Sequence, residues 1–154
     1  MRKLFQATVL STFASLGLAA MASANCVPSA ATEPGADDDV ICSGLIPDGV
    51  VGNNMSRSDL KLLPGTVVGN PSLATAIDFQ VGGRLVNDGE IKARDHGVKV
   101  FGNLNDSFDQ GINNGLIASE GIGFELTDDT SGAGDSLHFR NSSTGTVRTG
   151  GTAF

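Results

Sequence analysis

The residues best suited to acid–base chemistry are two histidines and four carboxylates in the second half of the chain. They are His96, His138, Asp88, Glu90, Glu120 and Glu125. A polysaccharide-active enzyme needs clustered carboxylates, or Arg and Lys near bound calcium, along one groove. The spacing of these four carboxylates does not group them, and no pattern places the two histidines together. We therefore predict no catalytic pair from these residues.

A serine nucleophile is suggested by Gly134-Asp135-Ser136-Leu137, which is similar to the signature of a serine esterase family. That family places its Ser near the chain start, with a catalytic Asp and His far downstream. Here 17 residues follow Leu137, and His138 is the only later histidine. A catalytic base for Ser136 therefore cannot be placed on that pattern. We interpret the motif as a loop before the strand Leu137-x-Phe139, and we predict that the chain is not an enzyme.

Metal and cofactor motifs are incomplete. Asp109-x-Gly111-x-Asn113 with Glu120 loosely resembles a calcium loop, but Asn114 stands where the sharp-turn Gly is needed and Gly111 offers no side-chain ligand. The acidic run 37–39 is more typical of a solvated segment than of a cation site. No glycine loop that could cradle a phosphate is present. The sequence thus predicts no metal and no cofactor.

The elements between these residues are predicted to be strands. Period-two apolar alternation occurs in Ile77-x-Phe79-x-Val81 and Ile122-x-Phe124-x-Leu126. All five prolines lie at or before Pro71, and Gly and Asn punctuate the rest. Because proline cannot donate to a strand ladder, its absence after residue 71 favours repeated strand pairing.

A repeat organises these strands. Val86-Asn87-Asp88-Gly89-Glu90-Ile91 matches Ile112-Asn113-Asn114-Gly115-Leu116-Ile117 as apolar-Asn-x-Gly-x-Ile, and looser copies occur at 63–67 and 141–147. The repeat glycines Gly65, Gly89, Gly115 and Gly145 are 24, 26 and 30 residues apart. A period of this length marks a stacked architecture. The units are too short for a strand and a crossover helix, which favours a parallel β-helix of about four short coils.

In such a stack, equivalent side chains of successive units pile into inward columns about 4.8 Å apart. We expect three columns: Val67, Ile91, Ile117 and Val147; then Ile77, Val98, Ile122 and Thr152; then Phe79, Val100, Phe124 and Phe154. Corner Gly and Asn tolerate positive φ, and stacked Asn side chains can share hydrogen bonds. The alternative is an antiparallel meander or sandwich with Asn-Gly-like turns.

The first 24 residues are predicted to be a cleaved signal peptide. Arg2 and Lys3 precede an uncharged, mostly apolar or small run, and Ala22-Ser23-Ala24 supplies the cleavage pattern before Asn25. A membrane anchor or a lipoprotein with a modified Cys26 is the alternative. Without the leader, 8 basic residues face 17 acidic ones, so the mature chain carries a charge of −9. That charge disfavours nucleic acid and anionic membranes as partners.

Both cysteines, Cys26 and Cys42, belong to the mature chain, and export places them in an oxidising compartment. We predict a disulfide between them that closes a loop of about 15 residues, worth roughly 3 kcal/mol in the chain-entropy model. Two unpaired thiols are the alternative. The mature chain is therefore divided into a disulfide-capped segment at 25–62 and β-helix repeats at 63–154.

The combination of a signal peptide, an acidic cysteine-containing segment ending at Asp39-Val40-Ile41-Cys42-Ser43-Gly44, and Asn-x-Gly-x-Ile units resembles the N-terminus of a bacterial autotransporter passenger. The resemblance covers nearly the whole chain. It implies a right-handed β-helix on a Gram-negative cell surface, with a C-terminal translocator barrel that this sequence lacks. We therefore expect a fragment, a truncated reading frame or a small relative without its own barrel.

The function expected on this basis is that of a surface scaffold without catalysis, acting in adhesion or autoaggregation. Its partners would be an unknown surface ligand or a second copy, contacted through the loops 103–110 and 127–135. It would lie on the cell surface or outside the cell, or in the periplasm if no barrel is supplied. The alternatives are a polysaccharide-active β-helix enzyme fragment and a free periplasmic β-domain.

Overall fold

The computed structural model describes residues 25–27, 39–52, 59–79, 84–102, 109–128 and 138–153. The predicted leader 1–24, the motif 134–137, most of both predicted loops and Phe154 lie outside these residues. The described chain forms fifteen strands. They are β1 (Asn25–Val27), β2 (Val40–Ser43), β3 (Leu45–Ile46), β4 (Val50–Gly52), β5 (Asp59–Leu62), β6 (Val67–Gly69), β7 (Thr75–Phe79), β8 (Arg84–Asn87), β9 (Glu90–Ala93), β10 (His96–Gly102), β11 (Asp109–Asn113), β12 (Leu116–Ser119), β13 (Ile122–Asp128), β14 (His138–Asn141) and β15 (Thr146–Thr149).

These strands form three sheets, and each sheet takes every third strand of the chain. Sheet A has the order β1-β2-β5-β8-β11-β14, sheet B the order β15-β12-β9-β6-β3, and sheet C the order β13-β10-β7-β4. Neighbours run parallel, except that β1 is antiparallel to β2. The prediction of an all-β chain is confirmed, since the described residues contain no helix.

We call three consecutive strands, one from each sheet, a layer. The first layer is β2–β4, followed by β5–β7, β8–β10 and β11–β13, and the last layer contains β14, β15 and residues 150–153. The sequence repeat did not reveal the first layer, because Val40–Gly52 has Cys42 where the pattern has Asn, although Gly44 and Ile46 keep its spacing. The predicted division after residue 62 lies between β5 and β6 of the second layer. It separates β5 from β8, its neighbour in sheet A.

Short strands with alternating burial position the core. In β9 and β12 every second side chain is buried, and the remaining side chains are half-buried. Ile117 pairs with Ile91 on one side and with Val147 on the other, so three residues of the first predicted column are adjacent in register. The predicted fourth member, Val67, is wrong. Val68 stands opposite Ile91, because the layer before β9 has one more residue between its Gly and its inward Val.

The other two predicted columns are shifted at β13. Val98 pairs with Phe124, not with Ile122, and Val100 pairs with Leu126, not with Phe124. The predicted columns assume a shorter corner between sheets B and C in this layer. The structure keeps it constant, so that Phe124 follows Ile117 by the same interval as Val98 follows Ile91. Thr152 contributes its backbone oxygen to Gly123 N, 3.1 Å away.

The repeat glycines serve close stacking more than positive φ. A Cβ on Gly115 would overlap the backbone oxygen of Gly89, and one on Gly145 would overlap that of Asn113. Gly65 differs, because its φ is +82° and nothing lies near the space a Cβ would fill. Thr66, not Gly65, faces Gly89, so the glycine column is also displaced by one residue in the second layer.

Candidate functional site

The first layer is closed by the predicted disulfide, which is confirmed. Cys26 of β1 and Cys42 of β2 are directly opposite in the antiparallel pair, with their Cα atoms 4.0 Å apart. Both side chains are buried, and β1 covers the edge that sheet A would otherwise expose. An uncovered strand edge is a template for association, and a three-residue edge strand such as β1 leaves only a short one.

A ladder of asparagines runs along the corner between sheets A and B. Asn87 and Asn113 are 0 % exposed, and Asn141 continues the same register in the last layer. The Nδ2 of Asn87 donates to Asn113 Oδ1 at 2.7 Å, and the Nδ2 of Asn113 donates to Asn141 Oδ1 at 2.7 Å. Each Nδ2 also reaches a backbone oxygen of the next layer, that of Leu116 or Thr146.

This ladder explains the Asn-x-Gly pattern of the sequence. A buried amide without partners costs about 1–3 kcal/mol, whereas a satisfied chain of amides fixes the register between layers. Asn87 also accepts a hydrogen bond from Gly89 N at 3.0 Å, which holds the turn in place. The last rung differs: Asn141 donates to Gly145 O of its own layer, and the residue is exposed. The ladder holds layers together and offers no reactive group.

The outer face of sheet C carries a set of neighbouring titratable side chains. Asp78, Lys99 and Glu125 are neighbours in register on β7, β10 and β13. The Nε2 of His96 lies 3.2 Å from Glu125 Oε2, and both side chains are 30 % exposed. That oxygen makes no hydrogen bond of good geometry within the described residues. The contact is therefore an ion pair only when His96 is protonated.

The sequence did not bring His96 and Glu125 together, because it placed Ile122 in the inward column. With the correct register, His96 faces Ile122 in the pair of strands. Glu125 follows three residues later on the outer side, within reach of a histidine side chain. An imidazole beside a carboxylate can move a proton, and Thr75 of β7 is the register neighbour of His96 on the other side.

The other candidate carboxylates are dispersed over separate corners. Asp88 accepts a hydrogen bond from Asn114 Nδ2 at 2.8 Å, and Glu90 lies 3.1 Å from the Nζ of Lys92. Glu120 is exposed at the corner between β12 and β13. Within the described residues, no group of three His, Cys, Asp or Glu side chains could hold a metal ion.

Arg94 and Asp95 form an exposed pair at the corner between β9 and β10. The Nε and one terminal nitrogen of Arg94 donate to the two carboxylate oxygens at 2.9 and 2.8 Å. This hydrogen bonding lowers the pKa of Asp95 and, together with the attraction between the charges, raises the pKa of Arg94. The pair is solvated, so we assign it a local role in the turn.

The last layer is only partly enclosed, as is the first layer at Ile46 of β3. Val147 and Phe139 are only partly buried, although the Phe139 ring stacks on Phe124 with centroids 3.8 Å apart. In the described part of the chain, β14 and β15 have a neighbour on one side only, and the same holds for β3 and β4 of the first layer.

The remaining sequence candidates are not tested by the fold. The Ser136 motif lies outside the described residues, and so do residues 103–108 and 129–135 of the two predicted binding loops. Among the described residues, no helix is long and apolar enough to span a membrane. Comparisons with protein-family models, with curated proteins and with solved structures found no significant match.

Proposed function

We propose that the mature chain is a right-handed parallel β-helix that serves as an exported scaffold for adhesion, without catalysis, similar to the N-terminal part of an autotransporter passenger. The observation that carries this proposal is the pairing of every strand from β2 to β12 with the third strand along the chain, in all three sheets. A chain wound in this way presents three repetitive outer faces. Such surfaces suit many weak contacts with a partner.

Export is supported by the disulfide as well as by the leader-like start. Disulfides persist in oxidising compartments and are rare in the cytosol. The Cys26–Cys42 bond joins the three-residue strand β1 to β2 of the stack. We infer that the protein folds after crossing the inner membrane and that it is displayed on the cell surface, or retained in the periplasm where no translocator carries it further.

The enzyme alternative rests on the outer face of sheet C, where His96 and Glu125 meet. A polysaccharide-active site would need a second carboxylate in the same cleft. Asp78 is the nearest in register, but Lys99 stands between it and Glu125. The scaffold hypothesis requires only the stacking, so we prefer it to catalysis.

The proposal is tested by expressing the chain with its own leader in a Gram-negative host. We expect removal of residues 1–24, a protected Cys26–Cys42 bond and labelling of intact cells by an impermeant reagent, or release with the periplasmic fraction. A matched variant without residues 2–21 should remain cytosolic and reduced. Cells displaying the chain should settle faster than control cells. A wild-type chain that keeps its leader and stays in the cytosol would contradict export, and display without any change in settling would contradict adhesion.

A further inference from the structure

The turn between β11 and β12 contains Asn114-Gly115, the only Asn-Gly dipeptide of the sequence. This dipeptide is prone to spontaneous deamidation, because glycine has no side chain to hinder attack of its backbone nitrogen on the preceding side-chain amide. The equivalent turn of the third layer stacks against it and carries Asp88-Gly89 at the same positions. The way in which the two turns stack therefore controls the reactivity of Asn114.

Hydrogen bonds between the third and fourth layers engage both reacting groups. Gly115 N donates to Asn87 O at 3.0 Å, and Asn114 N donates to the same oxygen at 2.8 Å. The Nδ2 of Asn114 donates to Asp88 Oδ1 at 2.8 Å. Attack on the Cγ of Asn114 requires Gly115 N to lose the proton that it shares with Asn87 O. The reaction therefore requires these two layers to separate locally.

We propose that Asn114 is a deamidation site that the closed stack protects and that local separation of the third and fourth layers exposes. The Gly115 nitrogen forms a bond to Asn114 Cγ, the Cγ–Nδ2 bond breaks, and Nδ2 leaves as ammonia with the proton that Gly115 N loses. Water then opens the five-membered imide at either of its two carbonyl carbons. One opening gives an aspartyl residue, and the other gives an isoaspartyl residue whose main chain is one carbon longer.

Either product disturbs the stacking of the two turns. The aspartyl product presents a carboxylate where Asn114 Nδ2 donates to Asp88, so a repulsion between like charges replaces a hydrogen bond. The isoaspartyl product must fit its extra carbon next to Gly115, where an added Cβ would already overlap Gly89 O. Deamidation is thus an irreversible change that loosens the fourth layer from the third. This inference goes beyond the proposed scaffold function and requires neither export nor adhesion.

The test follows the mature chain at mildly alkaline pH, either folded with its disulfide or unfolded in urea with the disulfide reduced. Peptide mapping by mass spectrometry locates each amide that has become an acid and separates the aspartyl from the isoaspartyl form. Asn114 should react first in the unfolded chain and about tenfold or more slowly in the folded chain. Equal rates in the two states would overturn the inference, as would an unfolded chain in which other asparagines react before Asn114.

Two alanine variants separate the effect of stacking from that of the dipeptide. Asp88→Ala removes the acceptor of Asn114 Nδ2 and should accelerate deamidation of the folded chain about threefold or more. Asp95→Ala removes a carboxylate from a different corner, so it is the matched control and should change the rate by less than about twofold. Circular dichroism and the intact disulfide establish that both variants are folded. Equal rates in the two folded variants would refute the role of the stack.

If Asp88→Ala does not fold, hydrogen exchange at Gly115 N of the wild type replaces it. Slow exchange supports the protection, and exchange as fast as in the unfolded chain refutes it.

Asn114→Asp reproduces the aspartyl product and tests its effect on the stack. It should lower the midpoint of urea unfolding by roughly 0.5 M at neutral pH. The shift should be smaller at acidic pH, where protonation removes the repulsion. Combination with Asp88→Asn restores one amide and one carboxylate and should recover the midpoint. An unchanged midpoint of Asn114→Asp at neutral pH would refute the loosening of the layers.

Discussion

The first and last layers of the stack show two ways of ending the same architecture. In the first layer an antiparallel strand and a disulfide cover sheet A, and the inward side chains of sheets A and C are buried, whereas Ile46 of sheet B is partly buried. In the last layer the inward Val147 remains partly exposed, and the final asparagine of the ladder bonds to its own turn. Ile46 and Val147 lie at the two ends of one inward column of sheet B, and both are partly buried. The difference between the two layers is therefore confined to sheet A, where β1 and the disulfide cover the first layer.

The largest effect is expected at the cap. Replacement of both Cys26 and Cys42 by Ala should lower the free energy of unfolding by about 3 kcal/mol, because the bond restricts a loop of about 15 residues in the unfolded chain. Urea unfolding with and without a reductant measures the loss. Reductant should destabilise the wild type and leave the double variant unchanged. An equal response of both proteins would show that the cap does not depend on the bond.

The same column allows a matched comparison between an enclosed and an open layer. Val68→Ala removes a side chain that is 0 % exposed and should cost about 2–3 kcal/mol. Val147→Ala makes the identical change in the last layer, where burial is partial, and should cost less than about 1 kcal/mol. The two free energies of unfolding are measured by urea titration at a concentration where the chain is monomeric. Equal losses would mean that the last layer is as well covered as the second.

The asparagine ladder gives a smaller difference of the same kind. Asn113→Ala leaves the buried Asn87 amide without one acceptor and takes a donor from Asn141, so we expect a loss of about 1–3 kcal/mol. Asn141→Ala disturbs an exposed rung and should cost about 0.5–1 kcal/mol. Amide hydrogen exchange at Gly89 and Thr146 reports whether the layers separate locally. A larger loss for Asn141 than for Asn113 would contradict the ladder.

The smallest effect is expected at a corner that belongs to neither end. Arg94 lowers the pKa of Asp95 through their hydrogen bonds, so Arg94→Gln should raise that pKa towards its ordinary value. A lowered carboxyl pKa stabilises the fold above the unfolded pKa, and the contribution fades as the pH falls through the folded value. Carbon-13 NMR titration of Asp95 measures the change. An unchanged pKa would show that the pair is open in solution.

The sequence predicted the all-β class and the disulfide, because period-two alternation and paired cysteines are local signals. It also identified the spacing between Ile91 and Ile117, since that interval is fixed by one full layer. It was wrong about Val67, because one extra residue between Gly65 and the inward Val68 shifts the register of β6 by one. It was wrong about Ile122, because it assumed a shorter corner before β13, which displaced the columns by two residues. Counting from the repeat could not detect such a shift. The pairing of the backbones fixes the register, and the residue types alone do not reveal it.

The pairing of His96 with Glu125 was missed for that reason, since it depends on the register of β13. The first layer was missed for a different one. Val40–Gly52 contributes a full set of strands with no Asn-x-Gly motif, because the asparagine ladder begins only at Asn87, where the preceding position of sheet A is Leu62. An apolar residue can therefore occupy the position that asparagine holds in the later layers.

The stacking itself is tested most directly by NMR contacts between isoleucine and valine methyl groups in the mature chain. The pairing of β9, β12 and β15 predicts strong cross-peaks between Ile91 and Ile117 and between Ile117 and Val147, and none between Val67 and Ile91 that exceeds the Val68–Ile91 peak. Methyl groups of Ile91 and Ile117 that show no mutual contact, or that are exposed to a soluble paramagnetic probe, would contradict the three-sheet stack.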